Sequence, residues 1–140
     1  MVKLMFAILL LSTLPAADIP AVRSDDRRSK LESFLSKYHC SVAPISEYLR
    51  AADTYGLDYR VLPAISIRET ACGKSNGPRN NFWGFHQENF PTLAEGIDFL
   101  ARRLMLHPLY QGKTLRDKLL KYNPRDAYPG EVLKIMRQIE

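Results

Sequence analysis

Apolar positions recur at helical spacing along most of the chain. Leu31, Phe34, Leu35 and Tyr38 fall on one face of a 3.6-residue period. Pro44 stands where a first helical turn tolerates proline; Ile45, Tyr48, Leu49 and Ala52 follow it, and Gly56 marks the end. Asp58 is the expected N-cap of a helix holding Leu62, Ile65 and Ile67, with Gly73 as its stop. Thr92 and Glu95 form a capping-box pair ahead of Leu93, Ile97, Leu100 and Leu104. Thr114 and Asp117 make a similar start. Beyond Pro129 and Gly130, the positions Val132, Ile135, Met136 and Ile139 predict a last helix. No stretch alternates with period two in strand-forming residues. The pattern predicts an all-α, or mainly α, domain.

One segment breaks this rhythm. Residues 73–91 are rich in turn formers: Gly73, Gly77, Pro78, Gly84 and Pro91, with Asn76, Asn80 and Asn81. Phe82, Trp83, Phe85 and Phe90 lie among them. A loop this long within a small domain is often functional. Its aromatics either cover an edge of the core or line a ligand groove, and spacing alone leaves both readings open.

The first 17 residues read differently. Lys3 precedes an apolar run from Leu4 to Leu11, and Pro15, Ala16 and Ala17 follow shortly after. A positive start, a short apolar core and small residues form the pattern of a secretory signal over residues 1–17. The alternatives are an uncleaved anchor or an apolar first helix of the fold. Residues 18–28, with Pro20 and the run Asp25-Asp26-Arg27-Arg28, read as a flexible leader, and residues 29–140 as the single folded domain. The chain has 140 residues, enough for one domain. With 46% hydrophobic and 25% charged residues, its composition argues against wholesale disorder. No apolar run reaches the roughly 18 residues of a spanning helix, so a polytopic membrane protein is excluded and no stable span is expected once the signal is removed.

Export changes the reading of the cysteines. There are two, Cys40 and Cys72, and an even count in an oxidising compartment predicts one disulfide. His39, His86 and His107 lie in unrelated segments with no zinc-type spacing, so no metal is expected. The net charge of +5 favours an anionic partner without choosing one. Basic residues are scattered, apart from the doublets Arg27-Arg28 and Arg102-Arg103. A DNA-binding helix would need a denser cationic face, and an exported protein meets little nucleic acid, so no nucleic-acid partner is expected.

Glu69 is the candidate for chemistry. Leu62, Ile65 and Glu69 are spaced i, i+3, i+7 and share a face whose other members are apolar. Glutamate is rarely buried unless paired. A desolvated carboxyl holds its proton to higher pH, as a general acid must. The competing reading is an ion pair with a nearby arginine. Arg68 is the sequence neighbour, but adjacent residues do not face each other on a helix.

The segment Tyr55-Gly-Leu-Asp-Tyr-Arg-Val-Leu-Pro-Ala-Ile-Ser-Ile-Arg-Glu69 resembles the catalytic helix of the lysozyme-like superfamily. The nearest branch is the bacterial peptidoglycan glucosaminidase and lytic-transglycosylase-like domains. There, Glu-Ser/Thr is followed closely by Gly-Lys or Gly-Trp, and then by Asn-Asn-Leu/Pro-Phe-Gly. This chain has Glu69-Thr70-Ala71-Cys72-Gly73-Lys74 and Asn80-Asn81-Phe82-Trp83-Gly84, with Trp83 where the pattern has Phe. Phe90-Pro-Thr-Leu-Ala-Glu-Gly-Ile97 is similar to the family's helix after the active-site loop. Tyr110-Gln-Gly-Lys, Tyr122-Asn-Pro and Tyr128 are similar to its C-terminal pattern. The resemblance covers about residues 40–140.

The resemblance implies a lysozyme-like helical fold, with residues 73–91 as the active-site loop, that cleaves the β-1,4 glycan strands of peptidoglycan by hydrolysis or transglycosylation. It requires no cofactor. Glu69 takes the place of the catalytic acid. Phe82 or Trp83 would stack on a sugar face, and Asn81 would bind substrate or fix the loop. Tyr122 or Tyr128 would orient the carboxylate. A Cys40–Cys72 disulfide would hold the end of the catalytic helix. Glycosidases usually need two carboxylates. Glu88, Glu95, Asp98, Asp117 and Asp126 are available, without a specific signal for any of them. A glycan-binding module of the same fold, without turnover, is the alternative. The expected location is the periplasm, the cell wall or the medium, where a cell-wall or secretion-system partner has access to the domain.

Overall fold

Local signals start and stop most of the helices. The structure, a computed structural model, describes residues 25–75 and 77–140. The signal-like segment 1–17 and the leader up to residue 24 lie outside the described residues. Helix α1, Asp26–Lys37, opens where the Asp25 carboxylate accepts the Arg27 N–H at 3.1 Å. It therefore begins inside the segment read as a leader, because Asp25 supplies the side-chain acceptor that a first turn needs. Helix α2, Ile45–Tyr55, starts after Pro44 and ends at Gly56, whose φ of +69° suits a glycine C-cap. Helix α4, Leu93–Leu106, and helix α5, Leu115–Tyr122, begin at the two expected capping pairs. Thr92 accepts the Glu95 N–H, and Thr114 accepts the Asp117 N–H.

Helix α3, Val61–Thr70, departs from the expectation at both ends. It starts two residues later than a cap at Asp58 implies; Asp58 instead accepts the Arg60 N–H in the turn leading into it. It also stops before Gly73, because Ala71 and Cys72 already adopt left-handed backbone at φ 49° and 54°. The N–H of Ala71 bonds to the Ile67 carbonyl and that of Cys72 to the Ser66 carbonyl, closing the helix as a Schellman-type end. The last helix, α6, spans Tyr128–Met136 and takes Pro129 and Gly130 into its first turn, where proline lacks no needed donor. Ile139 lies past its end but is still buried.

The described residues hold six helices and no strand, so the fold is all-α. Helix α2 packs on α4, and α3 on α6. α1 leans on α2, and α5 on α6. Helix α3 is the central element: all residues from Val61 to Ser66 are buried, so it is apolar around its circumference rather than along one stripe. Only its last turn, Ile67–Thr70, reaches the surface. Among the described residues, no helix is long and apolar enough to cross a membrane.

Candidate functional site

Glu69 stands where the buried helix α3 emerges, and it is half-exposed. Its neighbour Arg68 turns away. The Arg68 Nε donates to Glu131 Oε2 at 2.5 Å, and Arg125 binds the other oxygen of Glu131 at 3.1 Å. Among the described residues, no cation lies within salt-bridge distance of Glu69. The ion pair that would have made Glu69 a structural residue is absent there, and Arg68 serves α6 instead.

Three further elements converge on the carboxyl. The first is the backbone of Gly84, at φ +59°: a Cβ placed on it would stand 2.9 Å from Glu69 Oε2 and 3.3 Å from Glu69 Cβ and Cγ. Only glycine allows so close an approach in that conformation. The second is Tyr122, at the end of α5. Its hydroxyl donates to the Trp83 carbonyl at 2.5 Å. Its pKa is driven well up, first by burial and then by the Glu69 charge. The third is Tyr128, at the start of α6, fully buried and stacked on Tyr122 with ring centroids 6.2 Å apart. Burial and the Glu69 charge also push its hydroxyl pKa up. The Tyr128 Oη has no partner within hydrogen-bond geometry. A buried, unpartnered O–H beside a carboxylate is a donor placed to orient it.

The end of α3 is held by covalent and polar links. Cys40 and Cys72 form the expected disulfide, with Cα atoms 5.7 Å apart. The Thr70 hydroxyl donates to the Phe82 carbonyl at 2.6 Å and accepts the Gly73 N–H at 2.8 Å. Three successive residues, Ala71 to Gly73, have positive φ, starting two positions after the catalytic candidate. Non-glycine residues occupy that region only where the surroundings enforce it. Here the disulfide and the Thr70 bonds supply the enforcement.

The loop 73–91 is irregular, as expected, but its side chains divide. Trp83 cannot stack on a sugar: it is wholly buried, edge-on to Tyr48 at 6.3 Å. α4 approaches it at Gly96, where a Cβ would come within 2.9 Å of the indole. The loop folds its largest apolar side chain inward because that removes the most apolar surface from water. Asn81 is also buried. It donates to the Phe85 and Glu88 carbonyls at 3.0 Å and accepts the Phe85 N–H, so it fixes the loop and does not face solvent. Phe82 is the half-exposed aromatic. With Thr70, Gly73, Pro78, Arg79 and Asn80 it lines a cleft of about 240 Å³ next to the end of α3.

The candidate second carboxylates are engaged elsewhere or exposed. Glu95 and Asp117 accept the hydroxyls of their capping threonines. Asp98 accepts the Tyr55 hydroxyl at 2.8 Å, and Glu88 and Asp126 are exposed. Among the described residues, no cluster of three or more His, Cys, Asp or Glu offers a metal site. Two contributions were not visible from spacing: the contact of Gly84 with Glu69, and the capture of Arg68 by Glu131. The pentapeptide ending at Gly84 was a signal for the first; nothing local announces a pair 63 residues apart. Compared with protein-family models, with curated proteins and with solved structures, the chain matches none.

Proposed function

We propose that this protein is a peptidoglycan-cleaving glycosidase of lysozyme-like type, with Glu69 as its general acid and base. The observation that carries the reading is the carboxyl itself. It sits at the surfacing end of a buried helix, unpaired among the described residues, with the Tyr128 hydroxyl beside it. The protonated Glu69 would give its proton to the glycosidic oxygen as the bond breaks, while positive charge builds on the sugar ring. The resulting carboxylate would then take the proton of the attacking hydroxyl.

That nucleophile decides the product. A hydrolase of the usual kind needs a second carboxylate to activate water or to form a covalent intermediate. The candidates for that role are capping residues, a tyrosine's acceptor or exposed side chains without a hydrogen bond that fixes them. A single glutamate suffices if the muramyl 6-hydroxyl of the same sugar attacks, so the lytic-transglycosylase outcome, an anhydro end, is the better fit. The alternative of a binding module is weakened by the burial of Trp83, which removes the larger of its two stacking platforms.

The test is mass spectrometry of soluble products from purified peptidoglycan, with wild type beside Glu69→Gln. Anhydromuramyl ends are expected from wild type, with turnover lower by about 10²–10⁴-fold in the variant. Equal turnover by the variant removes Glu69 from the mechanism. Strand binding without products from either protein makes the domain a binding module.

A further inference from the structure

A second cleft opens at the last turn of α4, lined by Phe99, Arg102, Arg103, Leu106 and His107, with a volume of about 270 Å³. No carboxylate contributes to its lining. Among the described residues, neither Arg102 nor Arg103 has an acidic partner within salt-bridge distance. Asp98, one turn before Arg102, is occupied by the Tyr55 hydroxyl. Arg103 is held in place by its guanidinium lying over the Phe85 ring at 5.2 Å. Its Nε is buried without a hydrogen-bond partner in the protein. The His107 Nδ1 accepts the Leu109 N–H at 3.2 Å, which leaves Nε2 as the protonated nitrogen of the neutral ring. The cleft therefore offers only donors at its polar positions, beside two apolar side chains, one of them Leu106 at 53% exposure.

Fixed guanidinium forks are suited to planar carboxylates and to phosphates. A phosphate polymer would need a row of cations, and here the arginine doublet is isolated in α4. The volume is just below the roughly 300 Å³ at which pockets for small ligands begin, so it suits one end of a ligand rather than a whole one. A carboxylate flanked by a short apolar side chain meets both halves of the lining. We propose that this cleft binds the free carboxylate and adjoining side chain of a short acidic peptide, the class that peptidoglycan strands carry as side peptides. The assignment to the substrate's own peptide rests on the function proposed above. Phe85 connects the two sites: its ring lies 5.7 Å from that of Tyr122, the neighbour of Glu69, and it also supports Arg103.

The test titrates the protein with a synthetic N-acetylated alanyl-glutamate dipeptide, with its doubly amidated form, and with inorganic phosphate. The readout is the chemical shift of the arginine Nε–Hε pairs. The free dipeptide should shift the Arg103 signal saturably, and amidation should weaken binding at least about tenfold, as expected when charge-assisted hydrogen bonds are lost. Arg103→Met, which keeps an unbranched stem over Phe85, and Arg102→Ala, at an exposed position, should each weaken it severalfold with an unchanged melting temperature. Equal binding of the amidated form, or no effect of either variant, overturns the proposal. Phosphate binding as tight as the dipeptide overturns the peptide assignment. Glu69→Gln should leave dipeptide binding intact. Binding without strand cleavage by wild type sinks the glycosidase reading and leaves the cleft, whereas cleavage without dipeptide binding does the reverse.

Discussion

Replacing Gly84 with alanine places one methyl group between the loop and Glu69, and the structure separates its two costs. The first is conformational. At φ +59° a side chain is strained by about 1–2 kcal/mol. The second is steric. The new Cβ would stand 3.3 Å from Glu69 Cβ and Cγ. Ordinary carbon contacts lie at about 3.5–4.0 Å, so the loop or the end of α3 must give by a few tenths of an ångström. The Oε2, at 2.9 Å, must swing away, and it belongs to the carboxyl proposed to carry the proton. Gly56→Ala is the control: φ there is +69°, and nothing lies within 4 Å of the added Cβ. Urea unfolding should show a loss of about 1–2 kcal/mol for Gly56→Ala and about 2–4 kcal/mol for Gly84→Ala, at unchanged m-value. Release of soluble fragments from peptidoglycan, measured where both variants are folded, should fall by up to about 100-fold for Gly84→Ala, the penalty for a catalytic group misplaced by about 1 Å. Gly56→Ala should keep nearly full turnover. Equal activity in the two variants would refute Glu69 as the reacting group. Equal stability would refute the close approach.

The two site tyrosines should respond to the same substitution with opposite signs in stability. Tyr122→Phe leaves the buried Trp83 carbonyl without its donor and should cost about 1–3 kcal/mol, whereas Tyr128→Phe removes an unpartnered hydroxyl and should be neutral or stabilising in the same denaturation assay. Tyr128→Phe should nonetheless slow strand cleavage by about tenfold or more, the value of a hydrogen bond to a charged group, because its hydroxyl would bond to Glu69 only as the carboxylate forms during the reaction. Changing both Cys40 and Cys72 to serine opens a loop of 32 residues and should lower stability by about 3–4 kcal/mol, a difference that dithiothreitol should reproduce in the wild type. Stability should also fall at both extremes of a pH series. Hydrogen bonds from Arg27 hold Asp25 and Asp53, and one from Arg68 holds Glu131, below their ordinary values of 3.8 and 4.5; their contribution is complete above those values and is lost as pH falls through the lower native ones. Burial holds Tyr48, Tyr122 and Tyr128 above the ordinary 10.0, so the unfolded chain ionises first and stability declines as pH rises past about 10.

What was legible in the sequence was what four residues can specify. The capping pairs Thr92–Glu95 and Thr114–Asp117 and the stop at Gly56 stand where spacing put them, because a cap is a contact between near neighbours. The disulfide was legible because two cysteines allow only one pairing. The stop at Ala71 was not: an alanine in left-handed backbone has no local reason, and the Thr70 bonds and the Cys72 bridge hold it from outside the helix. Which of Phe82 and Trp83 turns inward was not legible for a related reason. Turn formers around an aromatic describe a loop, but they do not say which way it folds. The direction is set by Asn81, which bonds across the loop to Phe85 and Glu88, and by Gly96, which lets α4 close over the indole.

Glu69 itself shows how far the local pattern reaches. Its spacing from Leu62 and Ile65 predicted a carboxyl on a buried face, yet α3 is buried all around and the carboxyl escapes only because the helix surfaces at Ile67. Arg68 is the nearest cation in sequence that could pair with such a carboxyl, and it is taken instead by Glu131, 63 residues away. The same ion pair fixes α6 against α3, and α6 carries Tyr128, whose ring lies 5.9 Å from the Arg68 guanidinium. One contact therefore does two things at once. It withdraws the cation that would have neutralised Glu69, and it brings up the hydroxyl that lies beside it. Breaking it with Glu131→Gln would leave Arg68 able to turn toward Glu69, so a loss of turnover larger than the loss of stability is the signature this arrangement requires.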